Sequence, residues 1–155
     1  PRIEAYGTVD ELISWIGLIS AMAEDNSRSL FLVGIQSRLM HCAAILASGP
    51  GARTEKMMPP SVADIEQLEG EIDIMEAGIE PLNSFILPGG SIYVSNIHIA
   101  RCVCRRAERA ILRLTGEYDL NPLIVKYINR LSDYLFVLAR KVAADSGIEQ
   151  PKWIP

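Results

Sequence analysis

Between Ser91 and Thr115 the sequence places five arginines against one glutamate. Four of them, Arg101, Arg105, Arg109 and Arg113, recur at every fourth position, which at about 100° per residue gathers them on about a third of a helix circumference. Ile99, Val103, Ala107, Ala110, Ile111 and Leu114 fall on the opposite side, His98 joins the cationic face, and Arg106 and Glu108 stand at its two margins. A charge run is ordinarily just a solvated or salt-bridged surface. Solvated faces commonly alternate in sign, however, and this one repels itself. The guanidinium fork matches phosphate and carboxylate oxygens two at a time. The pattern therefore points either to a polyanionic ligand or to acids supplied by neighbouring helices, with Asp10 and Asp133 as candidate acids.

A second strip lies further along, where Asn129, Asp133, Phe136 and Arg140 share one narrow helical arc beside an apolar stripe. Taken alone, such a strip is most often structural. Gly89-Gly90, just before a helix start, offers backbone N–H groups to an anion, although a tight turn is the commoner use. Other chemistries lack their residues: there is no G-x-x-x-x-G-K-[ST] loop and no G-x-G-x-x-G after a strand. The two histidines, His41 and His98, stand in neither E-x-x-H nor H-E-x-x-H, which disfavours a di-iron bundle or a zinc hydrolase and leaves His41 as an ordinary histidine. Cys42, Cys102 and Cys104 are odd in number, have no C-x-x-C spacing and fit a reducing cytoplasm.

The elements that must position these groups are all helical. Length suits one domain over residues 1–155, and an apolar content of 49% with only 6% aromatics, spread at intervals, suits packed helices. The longest uncharged runs, such as Leu30 to Ser37, fall short of the roughly 20 residues of a membrane span, so a soluble protein is expected. A net charge of −4 argues against nucleic acid as the principal partner.

Thr8-Val-Asp-Glu11 reads as a capping box opening a first helix that carries Val9, Leu12, Ile13, Ile16 and Ile19 toward Glu24. After a polar break at Asp25–Arg28, a second helix carries Leu32, Ile35, Leu39, Cys42, Ala43 and Leu46 and stops at Ser48–Gly51. Ser61 caps a third with a seam of Ile65, Leu68, Ile72, Met75 and Ile79. Pro88-Gly89 suits the centre of a type II turn, and Ser91 caps the arginine helix, which runs to about Thr115 with Gly116 as its stop. Asn121-Pro122 opens the fifth, with Ile124, Ile128, Leu131, Leu135, Leu138 and Val142 inward and Gly147 at its end. The expected fold is all-α, a five-helix bundle with ferritin-like, up-and-down packing.

Three stretches now stand together: Glu4-Ala-Tyr-Gly-Thr-Val-Asp-Glu-Leu12; Phe85-Ile-Leu-Pro-Gly-Gly-Ser91 with His98-Ile-Ala-Arg-Cys-Val-Cys-Arg-Arg-Ala-Glu-Arg109; and Tyr127-Ile-Asn-Arg-Leu-Ser-Asp-Tyr-Leu-Phe136. In order and spacing they resemble the ATP:cob(I)alamin adenosyltransferases of the propanediol-utilisation type, over nearly the whole chain. The resemblance implies a homotrimer with active sites between subunits. It also implies ATP binding by Arg105, Arg106, Glu108, Arg109 and Asn129, with Arg101 in support, and catalytic roles for Arg105, Arg109 and Phe85. Phe85, Asp133 and Phe136 are implied at the corrinoid, and Asp10 is implied to pair with Arg105 across the subunit interface. Without the resemblance, Phe85 reads as a core anchor for the Pro88 turn.

The chemistry so implied is attack of cobalt(I) on the 5′ carbon of ATP, with triphosphate leaving. Positioned arginines and Mg²⁺ brought by ATP suit that departing charge, no proton transfer is required, and no side chain is assigned as a metal ligand. Cobalamin is a substrate, a flavoprotein reductase and a B12-dependent acceptor enzyme are the implied partners, and neither nucleic acid nor membrane is. Family members carry a Thr- and Gly-rich loop and a lysine ahead of the Glu-Ala-Tyr-Gly segment, and the sequence given starts at Pro1, after them. That phosphate loop is expected upstream and is expected to order with ATP. The competing reading is a non-catalytic helical protein that binds and delivers the corrinoid, or an interaction module of the same fold.

Overall fold

The structure is a computed structural model that describes residues 1–48, 56–116 and 118–154. Five helices form: α1 (Arg2–Ala21), α2 (Asn26–Ala47), α3 (Val62–Glu76), α4 (Ile92–Leu112) and α5 (Pro122–Asp145). Each starts where local chemistry closes its free N–H groups, except α1. Asp25, Ser61, Ser91 and Asn121 each accept a hydrogen bond from a first-turn backbone N–H, and Ser61 with Asp64 completes a reciprocal capping box. Gly147, at φ 64°, ends α5 in the left-handed conformation that glycine adopts without strain.

The capping box expected at Thr8–Glu11 does not form. The helix already runs from Arg2, and the buried Thr8 hydroxyl donates back to the Glu4 carbonyl at 2.6 Å, the alternative open to a threonine inside a helix. α4 ends at Leu112, short of Thr115, and Gly116 keeps a negative φ, so it is not a left-handed stop. Pro88-Gly89 does not form the expected type II turn, because Gly89 sits at φ 154°, far from the roughly +80° of that turn. The expected stop of the second helix at Ser48–Gly51 falls mostly on residues 49–51, outside the described residues.

α1 packs on α2 and α4, and α4 and α3 each pack on α5. Glu4 and Glu11 on α1 pair with Arg113 and Arg106 on α4, so the two helices are antiparallel. α2 and α4 point the same way, with α3 carrying the chain between them and packing outside α5, where Glu69 pairs with Arg130 at 2.9 Å. The expected up-and-down bundle therefore stands, with one crossover. α2 reaches α5 through Phe31 and Tyr134, whose rings lie 5.4 Å apart. Arg2 donates to the Ala47 carbonyl at 2.7 Å, placing a cation at the negative end of α2.

The core holds most of the expected stripes of all five helices: Val9, Leu12, Ile16 and Ile19; Leu32, Leu39 and Leu46; Leu68 and Met75; Val103, Ala107 and Ile111; Ile124, Ile128, Leu131, Leu135, Leu138 and Val142. By length and composition alone α2 would pass as a membrane span, contrary to the run-length expectation, but its Leu32, Leu39, Cys42 and Leu46 stripe is buried in the bundle. Leu39 has no exposed surface. Leu39→Ala should therefore lower stability in urea by about 2–5 kcal/mol, whereas Ser61→Ala, which removes only the cap of α3, should cost about 1 kcal/mol.

Candidate active site on the outer face of α4

α4 lies between α1 and α5, and its packed flank is built from small or slim residues: Ala100, Val103, Cys104, Ala107, Ala110 and Ile111 are all buried. Cys104 donates to the Ile128 carbonyl of α5 at 3.2 Å. Burial pushes the Cys104 and Cys42 thiols up, Cys42 to about 12, so both are inert packing residues, whereas Cys102 is exposed. Close approach on this flank turns the arginines outward.

Two hollows flank that outward face. One, of about 550 Å³, is lined by Glu11, Pro88, Ile99, Cys102, Arg106 and Arg109, among others. The other, of about 440 Å³, is lined by Ile72, Glu76, Arg101, Arg105, Asp133 and Phe136, among others. A third hollow of about 360 Å³ continues past Phe136 to Ile79, Pro81, Leu82 and Arg140. The segment 81–90 thus runs from one side of α4 to the other, with Pro81 and Leu82 at one hollow and Pro88 at the other.

The two margins of the cationic face and its last arginine are tied down, and its other three arginines are not. Arg106 pairs with Glu11, Arg113 with Glu4 at 3.0 Å, and Glu108 accepts from the Asn129 amide at 2.8 Å. Arg101, Arg105 and Arg109 form no ion pair among the described residues. Arg101 instead lies over the Phe136 ring, 5.8 Å from its centroid. Of the acids proposed from sequence, Asp133 pairs with Arg130 at 2.9 Å while lining the same hollow as Arg101 and Arg105, and Asp10 is exposed without an ion pair among the described residues. Glu4 and Glu11, which the sequence reading passed over, are the acids that meet α4. Their spacing of seven on α1 mirrors that of Arg106 and Arg113 on α4.

Two residues of α4 depart from the expected faces. Ile99, assigned to the packed side, is 42% exposed and lines the larger hollow. His98, assigned to the cationic face, is buried against Phe136, with ring centroids 6.4 Å apart, and its Nε2 lies 3.3 Å from the Gln150 side-chain nitrogen. Near its N-terminus α4 is covered by the segment that follows α5, which shifts the buried arc toward His98. Phe85 departs from the reading as a core anchor: it is 79% exposed and meets Trp153 edge to face, ring centroids 6.2 Å apart.

A sequence profile described as cobalamin adenosyltransferase matches residues 1–142. This chain belongs to that family. Among its relatives are the corrinoid adenosyltransferase PduO of Salmonella typhimurium, 43% identical over 150 residues, and the corrinoid adenosyltransferase of Bacillus subtilis, 42% identical over 153. These alignments cover 97% and 95% of this chain but 44% and 77% of those proteins. In fold, it superposes on a variant PduO-type ATP:corrinoid adenosyltransferase from Lactobacillus reuteri complexed with cobalamin and ATP, with a TM-score of 0.92 at 33% identity, covering 100% of this chain and 87% of that one.

In this adenosyltransferase-family chain, burial and then the Arg101 charge hold His98 down at about 4, so the imidazole is neutral at physiological pH. Its pKa is lower folded than unfolded, where it is about 6.5. Its stabilising contribution is therefore fully present above about pH 6.5 and is lost as the pH falls through about 4. His98→Gln should flatten the fall in urea midpoint between pH 6.5 and 4 relative to wild type; an unchanged slope would show that His98 does not titrate in this window.

Proposed function

We propose that this chain is an ATP:cob(I)alamin adenosyltransferase that makes adenosylcobalamin and releases triphosphate. The observation that carries the reading is the set of three guanidiniums, Arg101, Arg105 and Arg109, projecting from one rigid helix without carboxylate partners among the described residues. Family membership and the cobalamin- and ATP-bound relative support it. In the reaction, the cobalt(I) lone pair forms a bond to C5′ of ATP while the C5′–O bond breaks, and the triphosphate departs with that bond's electrons. Negative charge grows on the leaving oxygen. Donors already aimed at the triphosphate stabilise the transition state without reorganising, and α4 supplies them in fixed register. No proton moves to or from the attacking atom, so the site needs no general base.

Arg105 and Arg109 act on the triphosphate, with Arg101 and Arg106 beside them, and the Glu108–Asn129 bond orients two further ATP contacts. Among the described residues no three His, Cys, Asp or Glu side chains converge on one point. Mg²⁺ arriving with ATP would lie beside Arg105 and Arg109 and would add positive charge that stabilises the departing triphosphate. Phe85 and Phe136 supply apolar surface against the corrin ring, and Asp133 lines the hollow that Phe136 lines. The exposed positions of Asp10 and Arg105 suit a pairing between subunits of a homotrimer that completes the site. Three free thiols, two of them buried, accord with a reducing cytoplasm.

The test is anaerobic turnover of reduced cobalamin with ATP and Mg²⁺, followed by the appearance of the light-sensitive cobalt–carbon product. Arg105→Lys and Arg109→Ala should each lower kcat/KM for ATP by roughly 100-fold while leaving helical content unchanged. Turnover at the wild-type rate in these variants would remove those residues from the site. Cobalamin binding without any turnover would instead establish a delivery protein.

A further inference from the structure

Among the described residues Phe85 does not belong to the core or pack against it. It is 79% exposed and stands in a segment without regular structure between α3 and the cap of α4 at Ser91. What meets it is the chain after α5. Gly147 turns the backbone back, and the Ile148 amide closes on the Ala143 carbonyl at 2.8 Å. From there residues 148–153 run antiparallel to residues 85–90. The Leu87 amide donates to the Pro151 carbonyl at 2.7 Å and the Trp153 amide donates to the Phe85 carbonyl at 2.8 Å, on either side of an Ile86–Lys152 bridge. The Trp153 ring then meets the Phe85 ring at 71°, 6.2 Å between centroids.

Two further contacts lock the register. Gly90 has φ 103°, and a Cβ added there would lie 2.6 Å from the Ile148 methyl Cγ2, so the two strands approach closely only because this residue is glycine. Gln150 reaches His98 on α4, whose ring packs on Phe136. The segment therefore touches both aromatic residues assigned to the corrinoid side, Phe85 directly and Phe136 through His98. The profile match ends at residue 142, before residues 148–153 but after Phe85, Gly90, His98 and Phe136.

We propose that residues 148–153 are a clasp that fixes the position of Phe85, and that Trp153 is a positioning residue acting through it. The functional part rests on the reading of Phe85 as the aromatic residue at the corrinoid face. Backbone pairing sets where the Phe85 Cα stands, and the edge-to-face contact sets which way its ring turns. Without the clasp, Phe85 would sample many orientations, and each would have to be reordered when a corrinoid arrives.

Two measurements test this separately. Amide exchange, followed without substrate, reads the clasp itself: Trp153→Ala should accelerate exchange at Leu87 while the amides of α4 and α5 stay protected, and Trp153→Phe should restore protection. Unchanged exchange at Leu87 would overturn the clasp. Turnover reads the coupling: Trp153→Ala should lower kcat roughly 10- to 100-fold with the KM for ATP unmoved, and Trp153→Phe should recover most of it. In a Phe85→Ala background the same Trp153→Ala change should have no further effect. Additive losses would overturn the positioning role, since Trp153 would then be acting by its own contact. If Phe85→Ala leaves turnover unaltered while exchange at Leu87 still responds to Trp153, the clasp stands and the assignment of Phe85 to the corrinoid face is the part that fails.

Discussion

The close packing of α4 against α1 and α5 is the constraint on which the rest depends. A helix that shows Ala100, Cys104 and Ala107 to its neighbours brings backbones near one another and leaves no freedom to roll. Rolling by one position would bury an arginine and expose the core stripe, so burial of Val103, Ala107 and Ile111 fixes the azimuth of Arg101, Arg105 and Arg109. The ion pairs at the margins, Arg106 with Glu11 and Arg113 with Glu4, involve exposed side chains and are individually weak. Their effect is directional: they occupy the acids that face α4 from α1 and leave the central guanidiniums uncommitted.

Electrostatics under that face follow the same logic. His98 lies one turn before Arg101, and a charged imidazole there would add to a cluster that already repels itself. Burial keeps it neutral, so the positive field offered to an anion is set by arginine alone. The stacking of Arg101 on Phe136 joins the charged part of the face to its apolar part, and one hollow therefore has guanidinium on one wall and aromatic carbon on another.

Most of the fold was legible in the sequence because it rests on periodicity. The stripes of α2 and α5 are buried as spaced, and the Ser61, Ser91 and Asn121 caps act where the residue types said they would. The failures share a physical origin. Thr8-x-x-Glu11 satisfies the capping pattern, but a threonine hydroxyl serves equally well by bonding back to the carbonyl four residues earlier, and only the preceding helical turn decides between them. Gly116 looked like a stop because glycine often is one, while the chain here leaves the helix through a right-handed turn at Arg113. His98 and Ile99 were misplaced because helical phase describes an isolated cylinder, and the cover over the start of α4 comes from residues some fifty positions away. The pairing of residues 85–87 with 151–153 has no local signature, since a single isolated bridge leaves no alternation to read.

The proposed site divides between helix and loop, and the division has a reason in what each part would do. Charge stabilisation of a leaving triphosphate gains most from donors that do not move, because any reorganisation during the reaction subtracts from their effect, and a buried helix is the stiffest support available. A wall for a large, flat substrate has the opposite requirement, since it must let that substrate past before it defines the substrate's surroundings. An aromatic residue on a segment held by two backbone hydrogen bonds and one ring contact meets that requirement better than one set into the core. The exposure of Phe85, which contradicts its reading as a packing anchor, is thus what its proposed role demands: the ring is held from behind by residues 151–153 and left open in front.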